Sequence, residues 1–269
     1  MRRVGIVLVG LVLAAAMVGP WLVAADGIAQ DLPMRLQGPT WSHPFGFDEL
    51  GRDVLARVLR GARVSLAVAI SVVGLSASIG LVVGATAGYF GGRVDDVVSR
   101  MMDVLLAFPG ILLAIALVAV LGPRLDHVVL ALVGIGWVGY ARVARGQVIR
   151  LRELDFVQAA RALGATPVRI LVRHLVPGTL PIIVIQGALG MAAVVLAEAS
   201  LSFLGLGVQP PTPSWGAMLD AGRGHLLDAP HLTLFPGIGI AVLVLGFNFL
   251  GDGLREWLDP RREAGLESP

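Results

Sequence analysis

The chain has 269 residues, of which 56% are hydrophobic and 15% are charged, and its formal net charge is +2. This composition is typical of a polytopic membrane protein and argues against a soluble enzyme domain. All 21 basic residues are arginine and there are no cysteines, so a Walker A lysine, a disulfide framework and a thiolate site are all excluded.

Six uncharged stretches approach or exceed the length of about 20 helical residues that the hydrocarbon core of a bilayer requires. They are residues 4–25, 64–92, 104–123, 128–141, 175–197 and 232–251. The first follows two arginines, as in a signal peptide, but it is long for one and ends without a clear cleavage site, so we expect it to remain as a span. The sequence thus predicts an all-α polytopic membrane protein with six transmembrane helices.

The distribution of arginines predicts the orientation of these spans. With both termini in the cytoplasm, 14 of the 21 arginines fall on cytoplasmic segments and seven on outer segments. The positive-inside rule favours this orientation. It places residues 146–176, between the fourth and fifth spans, in the cytoplasm together with the tail, residues 255–269.

The segment between the first two spans changes character near Asp48. Before it, residues 30–46 contain several prolines and glycines and are expected to be irregular. After it, apolar residues follow one face of a helix: Leu50, Val54, Leu55, Val58 and Ala62, with Arg52, Asp53, Arg57 and Arg60 largely off that face. We expect this amphipathic helix to lie in the outer interface and to lead into the second span. We therefore group residues 1–63 as the first span plus an extracytoplasmic segment, and residues 64–254 as the transmembrane core.

A stripe of small residues runs along the second span, because Ser76, Gly80, Gly84 and Gly88 recur every four residues. Such stripes allow helices to approach closely in lipid. The pattern leaves two interpretations open, a seam with another subunit or packing within the chain. In the third span, Pro109 is expected to kink or end a helix.

Local signals predict a helix–turn–helix between the fourth and fifth spans. Asp155 suits the N-cap position, and Gln158 three residues later would complete a capping box. A narrow apolar face of mostly small residues follows, made of Phe156, Ala159, Ala160 and Leu163. Gly164 suits the left-handed residue that ends a helix, and Thr166 with Pro167 would start the next one.

This region resembles the EAA loop of the permease subunits of bacterial ABC importers, which reads Glu-Ala-Ala, later Gly, and later Ile-x-Leu-Pro. Here glutamine replaces glutamate, histidine replaces isoleucine and valine replaces leucine. The resemblance implies a coupling helix that seats in a groove of an ATPase subunit, carried by Asp155, Gln158, Ala159, Ala160, Gly164, Pro167 and Pro177. A DNA-binding helix–turn–helix is the alternative, but apolar spans begin within about a turn on both sides, so no nucleic-acid partner is expected.

Glu198 lies at or near membrane depth in the fifth span. A charged side chain at the bilayer centre costs about 2.5–3.5 kcal/mol on insertion scales, so Glu198 should face the pathway or a partner, or be protonated. The other interpretation is that the span ends early and Glu198 sits at the outer interface. We take Glu198, Ser202 and Phe203 together as candidate pathway or interface residues, and Trp215 as an interfacial anchor.

Two further stretches extend the resemblance. Residues 43–66 resemble dipeptide and oligopeptide permeases, and residues 195–216 resemble peptide, nickel and glutathione permeases. The family implies a type I importer permease fold in the bacterial inner membrane. It also implies a second homologous permease, ABC ATPase subunits that bind the ATP and magnesium, an extracytoplasmic binding protein, surrounding lipid, and no cofactor in this chain. Di- and oligopeptides are the expected substrates, with nickel or glutathione as alternatives.

No pattern in the sequence indicates an enzyme. The five histidines lack metal-binding spacings, and His225 and His231 near Asp228 are expected to be surface residues. The rival class is an ATP-independent secondary transporter, which often carries an inverted repeat. No convincing repeat relates residues 1–123 to residues 124–269. A membrane scaffold without transport activity is a third possibility.

Overall fold

The computed structural model describes residues 1–23 and 27–258 of the chain, so the end of the first predicted span and most of the predicted tail lie outside the described residues. In chain order its helices are α1 (Arg2–Leu22), α2 (Val54–Phe90), α3 (Gly92–Leu106), α4 (Gly110–Leu121), α5 (Leu125–Leu151), α6 (Asp155–Ala162), α7 (Pro167–Ile170), α8 (Val176–Phe203), α9 (Trp215–Gly222) and α10 (His231–Trp257). A π-helical turn, Leu171–Leu175, joins α7 to α8. Two 3-10 turns are Leu32–Met34 and Arg223–His225.

Five stretches of helix are long and apolar enough to cross a membrane. They are Arg2–Trp21, Val54–Phe90, Leu125–Leu151, Pro167–Phe203 and His231–Trp257. The fourth predicted span, residues 128–141, is the middle of the longer helix α5, so its apparent shortness came only from the arginines that follow it.

The third predicted span is not one straight helix. Residues 104–106 end α3, and α4 has only 12 residues, about 18 Å at 1.5 Å per residue. The two helices meet at 82°, and Pro109 stands at the break with an extended backbone. Because proline lacks an N–H and disfavours helix at the residue before it, the helix stops there. The sixth crossing therefore exists only if this bent pair counts as one span.

The amphipathic helix predicted before the second span does not exist as a separate element. Helix α2 begins at Val54, and the carboxylate of Asp53 caps it by accepting the Ala56 N–H at 2.8 Å. It then continues to Phe90, so residue 63, the predicted domain boundary, lies inside it. The predicted polar face is also partly buried, since Arg57 is 7% exposed and donates to the Gly27 carbonyl at 3.1 Å.

The small-residue stripe on α2 packs within the chain. An added Cβ at Gly80 would lie 2.6 Å from the Trp137 carbonyl oxygen, and one at Gly88 would lie 2.7 Å from that of Arg145. At Gly84 it would collide with the carbonyl oxygen of Ala141. Of the two interpretations of the stripe, packing against α5 is therefore the one that the fold adopts.

The largest buried cluster joins α1, α2, α8, α9 and α10, with Trp215 among them. Trp215 is 2% exposed, and its indole N–H donates to the Val58 carbonyl at 2.9 Å. Its predicted role as an interfacial anchor is wrong, because Gly61 and Gly239 leave room for the ring between helices. Helix α8 extends from this cluster back to the loop described next.

Candidate functional site

Within residues 146–176, the candidate coupling loop, helix α6 begins differently from the prediction. Leu154 occupies the N-cap, and Asp155 is already the first helical residue and makes no side-chain cap. The amide of Gln158 instead donates to the Arg152 carbonyl at 3.0 Å, which the end of α5 leaves without a helical partner. The predicted capping box is therefore wrong, although Asp155 still complements the helix dipole from the first turn.

The predicted apolar face of α6 is largely exposed, although Phe156 lies beside the His174 ring. Phe156 is 48% exposed, Leu163 is 89% exposed, Ala159 is exposed and Ala160 is half-buried. The residue that holds α6 to the chain is Val157, which is fully buried in a cluster with Ala85, Val148, Ile170 and Leu175. We call the exposed set, Phe156, Ala159, Ala160 and Leu163, the α6 outer face.

The turn after α6 forms as the sequence predicts. Gly164 has a φ of +80°, in the left-handed region that favours glycine. Thr166 caps α7 by accepting the Arg169 N–H at 3.4 Å, and Pro167 stands in the first turn. The π-helical turn then precedes Pro177, whose missing N–H and ring disturb the regular hydrogen-bond ladder at this point.

Polar contacts tie the loop to the ends of the spans. The Arg152 guanidinium donates to the Gly88 carbonyl at 2.8 Å at the end of α2. Arg145 on α5 forms a two-pronged ion pair with Asp95 on α3. These contacts hold the start of the loop to the end of α2 and hold α5 to α3.

Glu198 lies inside the chain and not on an open surface. It is 1% exposed, and its two carboxylate oxygens accept the hydroxyls of Ser202 at 2.7 Å and Ser65 at 3.3 Å. The Ser214 side chain, at the N-cap of α9, lies near this carboxylate. Phe203 is half-buried, with the Arg223 guanidinium 5.6 Å from its ring centre. The cluster thus joins α2, α8 and α9 within one subunit.

Two groups escaped the sequence analysis. The first is an ion-pair cluster, in which the Asp48 carboxylate accepts a hydrogen bond from the Arg52 guanidinium at 2.6 Å and lies 3.4 Å from the Arg57 guanidinium. The i, i+4 spacing of Asp48 and Arg52 was the sequence signal for this cluster. The second is a cavity of about 290 Å³ among α2, α4, α5 and α8. Its polar lining comes from Ser76, Tyr140 and Gln186. Each is a polar residue near the middle of an apolar span, and the sequence analysis noted only Ser76, as part of the small-residue stripe.

The histidines take structural positions. His231, predicted to be a surface residue, is 6% exposed because it starts α10 and lies 3.1 Å from the Phe47 carbonyl. His43 lies 2.8 Å from the Asp53 carboxylate, and His225 lies 4.0 Å from the Glu49 carboxylate. In residues 1–23 and 27–258, no group of three or more histidine or acidic side chains could hold a metal ion.

Comparison with known proteins agrees with this architecture. Residues 80–264 match the family of binding-protein-dependent transport system inner membrane components. The chain is 42% identical to the dipeptide transport system permease protein DppC of Alkalihalophilus pseudofirmus, over 97% of this chain and 86% of that protein. It is 44% identical to a putative peptide transport system permease protein of Brucella suis (96% and 87%) and to the glutathione transport system permease protein GsiD of Shigella dysenteriae (93% and 83%).

Among solved structures, the inward-facing MetNI methionine ABC transporter superposes with a TM-score of 0.59 at 21% identity, over 75% of this chain and 96% of that one. At this identity the likeness concerns the fold alone, and it confirms the predicted type I importer permease fold. The predicted inner-membrane location and the predicted family are confirmed by the family match and the relatives. The chain belongs to the inner membrane components of binding-protein-dependent transport systems, the permease subunits of ABC importers, which work with an ATPase and a substrate-binding protein.

Proposed function

We propose that this chain is the membrane-spanning subunit of an importer of short peptides. It pairs with a second, related permease to enclose the pathway, and both of its termini lie in the cytoplasm. ATP and magnesium are bound by the partner ATPase, so the chain itself has no catalytic site and no cofactor. The extracytoplasmic binding protein delivers the peptide to the opposite side.

The observation that carries this proposal is the 42–44% identity, over nearly the whole chain, to permeases named for dipeptide, peptide and glutathione transport. Glutathione is itself a modified tripeptide, so all three names describe one class of substrate. Nickel remains the alternative that the sequence resemblance raised.

The α6 outer face supports the coupling role. It is a largely exposed surface of small and apolar side chains on a helix whose fully buried residue is Val157. Such a surface suits a groove in an ATPase, because alanines allow close approach and Leu163 supplies an apolar anchor. When the ATPases close, the helix would move with them, and the Arg152 contact to α2 would transmit the movement to the spans.

The test has two stages. The tagged chain is first purified from native membranes in mild detergent, and the proteins that accompany it are identified by mass spectrometry. We expect a second permease, an ATPase and a binding protein. The purified complex is then reconstituted in proteoliposomes, and uptake of a labelled dipeptide, glutathione or Ni²⁺ is measured with ATP present or absent.

ATP-dependent uptake of the dipeptide, inhibited by an excess of unlabelled di- or tripeptides and not by Ni²⁺, is the expected result. Uptake of Ni²⁺ alone would replace the peptide assignment. Uptake that follows a proton gradient without ATP, from a chain that purifies alone, would favour the secondary-transporter class.

A further inference from the structure

The cavity among α2, α4, α5 and α8 combines an apolar wall with a few neutral polar groups. Val73 and Val194 contribute to the wall, and Ser76, Tyr140 and Gln186 contribute the polar groups. Gly139 lies at an exposed edge, so the cavity opens to the surface of the chain. No charged side chain from the described residues lines it.

The Ser76 hydroxyl is buried but has no hydrogen-bond partner among the described residues. Other serines and threonines on these spans donate to the carbonyl four residues earlier, at 2.7–2.8 Å: Ser78, Thr86, Thr179 and Ser200. Ser76 does not do so, although its residue is only 1% exposed. A buried hydroxyl without a hydrogen-bond partner costs about 1–3 kcal/mol. Because the Ser76 hydroxyl lies on the cavity wall, a ligand in the cavity could supply the missing hydrogen bond.

Glycines on the neighbouring helices make room for the two hydroxyls. An added Cβ at Gly136 would lie 2.9 Å from the Ser76 oxygen, and an added Cβ at Gly190 would collide with the Tyr140 oxygen. Any side chain at these two positions would therefore press on the polar groups or fill the space beside them. The packing of α5 and α8 preserves the hydroxyls as part of the lining.

All three polar residues lie near the middle of a long apolar helix. Ser76 belongs to Val54–Phe90, Tyr140 to Leu125–Leu151 and Gln186 to Pro167–Phe203. Near the bilayer midplane, polar side chains that face a cavity mark substrate pathways, since water-free lipid offers them no partners. In secondary transporters, substrate sites commonly lie near this depth.

We propose that this cavity is a transit site that hydrogen-bonds the amide groups of the peptide as it crosses the membrane. The proposal rests on peptide import, the function proposed above. A hydroxyl can donate or accept, and the glutamine amide can do both, so Ser76, Tyr140 and Gln186 can pair with either end of an amide group. The backbone amide is common to all peptides, so such a site would accept them regardless of their side chains.

The absence of charge from the described lining fits transit better than storage. A charged wall would hold one end of a peptide strongly, whereas a pathway requires contacts that are favourable enough for entry and weak enough for release. Neutral hydrogen bonds contribute about 0.5–1.5 kcal/mol each, which satisfies both conditions. Discrimination among peptides is then left to the binding protein.

The first experiment tests access from water. The chain has no native cysteine, so single cysteines can be introduced by Gly139→Cys and, as a control on the same helix, Gly134→Cys. An added Cβ at either glycine meets no atom within 4 Å, but only Gly139 lines the cavity. The complex in native membranes is treated with a charged, membrane-impermeant methanethiosulfonate reagent on each side in turn, and modification of this chain is measured by mass spectrometry.

We expect modification of the Gly139→Cys variant, protection from it by an excess of dipeptide, and little modification of the Gly134→Cys variant. Equal, slow modification of both variants from both sides would overturn the proposal, because a lipid chain or a helix of another subunit would then fill the cavity.

The second experiment measures uptake and stability together. Ser76→Ala and Tyr140→Phe should each slow the uptake of all dipeptides by about threefold to tenfold, the equivalent of one neutral hydrogen bond. Because the Ser76 hydroxyl has no hydrogen-bond partner among the described residues, Ser76→Ala should leave thermal stability in detergent unchanged or raise it. Gly139→Leu should slow bulky dipeptides more than glycylglycine, and Gly134→Leu should slow neither.

The outcomes separate the two proposals. If the unsubstituted complex imports dipeptides while Ser76→Ala, Tyr140→Phe and Gly139→Leu all keep its rates, the cavity is not part of the pathway and peptide import still holds. If the unsubstituted complex imports no peptide, both proposals fail together.

Discussion

Two parts of this chain carry small residues at helical spacing, and the fold uses them in opposite ways. On α2, Gly80, Gly84 and Gly88 are buried against the backbone of α5. On α6, Ala159 is exposed and Ala160 is half-buried, beside exposed apolar side chains. A run of small residues therefore indicates close approach to a partner without indicating whether that partner lies in the same chain.

The reason for the difference lies in the neighbouring helix. The carbonyl groups of Trp137, Ala141 and Arg145 recur every four residues on α5 and match the stripe on α2 one by one. Helix α6 has only eight residues and fully buries just Val157, so most of its other side is exposed, although Phe156 lies beside the His174 ring. The contrast can be tested by substitutions in each region.

The largest effect is expected for Gly84→Leu on α2. The new side chain would collide with the backbone of α5 at Ala141, which cannot move aside as a flexible side chain could. We expect a loss of about 3 kcal/mol of stability, at the upper end of the usual cost of overpacking. The measurement is the fraction of chain that stays folded in detergent on heating. Gly74→Leu on the same helix is the control, since an added Cβ there meets no atom within 4 Å.

The opposite pattern is expected on α6, where Ala159→Glu should weaken coupling without affecting the fold. A carboxylate forced into a dry groove of an ATPase without a partner would cost about 2 kcal/mol or more, about 30-fold in affinity. The readouts are co-purification of the ATPase and ATP-dependent uptake. Ala162→Glu introduces the same charge at another exposed position of α6, off the outer face, and serves as the control.

Equal loss in both α6 variants would mean that charge on this helix, rather than its outer face, disturbs the complex. Reduced thermal stability of the Ala159→Glu chain alone would show that Ala159 packs within the chain, and the contrast with α2 would disappear.

The sequence predicted those features whose physical cause is local. Gly164 and Thr166 form the turn as expected, because a positive φ and a threonine cap depend only on neighbouring residues. The long apolar helices followed equally from composition. The capping box failed because the helix begins one residue earlier than expected, and the Gln158 side chain donates its amide N–H to the Arg152 carbonyl instead of accepting an N–H with its oxygen.

Features decided by tertiary packing were not accessible from the sequence. The burial of Glu198 among serines depends on Ser65, which is 133 residues away in the chain. Periodicity placed Arg57 off the apolar face, but the Asp48 carboxylate and the Gly27 carbonyl fold back over it. The cavity needs four helices at once, and each contributes residues that look ordinary in its own span.

A smaller effect on stability is expected for substitutions of Glu198. They test whether this residue, which is buried within the chain as the α2 glycines are, also has a structural role. Glu198→Ala removes the acceptor of the Ser65 and Ser202 hydroxyls. Serines on a helix can turn to the carbonyl four residues earlier, so the expected loss of stability is only about 1 kcal/mol. Thermal unfolding of the detergent-solubilised chain measures it, and Glu198→Gln, which keeps an acceptor, should recover most of it. Slower uptake by Glu198→Ala at unchanged stability would instead assign Glu198 to the pathway.

The smallest expected effect concerns two ion pairs that join α3 to α5, beside the small-residue stripe of α2. The Asp95 side chain is 19% exposed and accepts two hydrogen bonds from Arg145. The Asp103 side chain is 69% exposed and accepts one hydrogen bond from Arg142. Asp95→Asn should cost up to about 1 kcal/mol and Asp103→Asn almost nothing, because exposed pairs are well solvated and screened by salt. Thermal unfolding at low and at high salt measures both, and the Asp95 effect should shrink as salt is added. If the two variants lost stability equally at both salt concentrations, the α3–α5 contact would not depend on the half-buried Asp95–Arg145 pair. Packing of the small-residue stripe of α2 against α5 would then hold this end of the bundle.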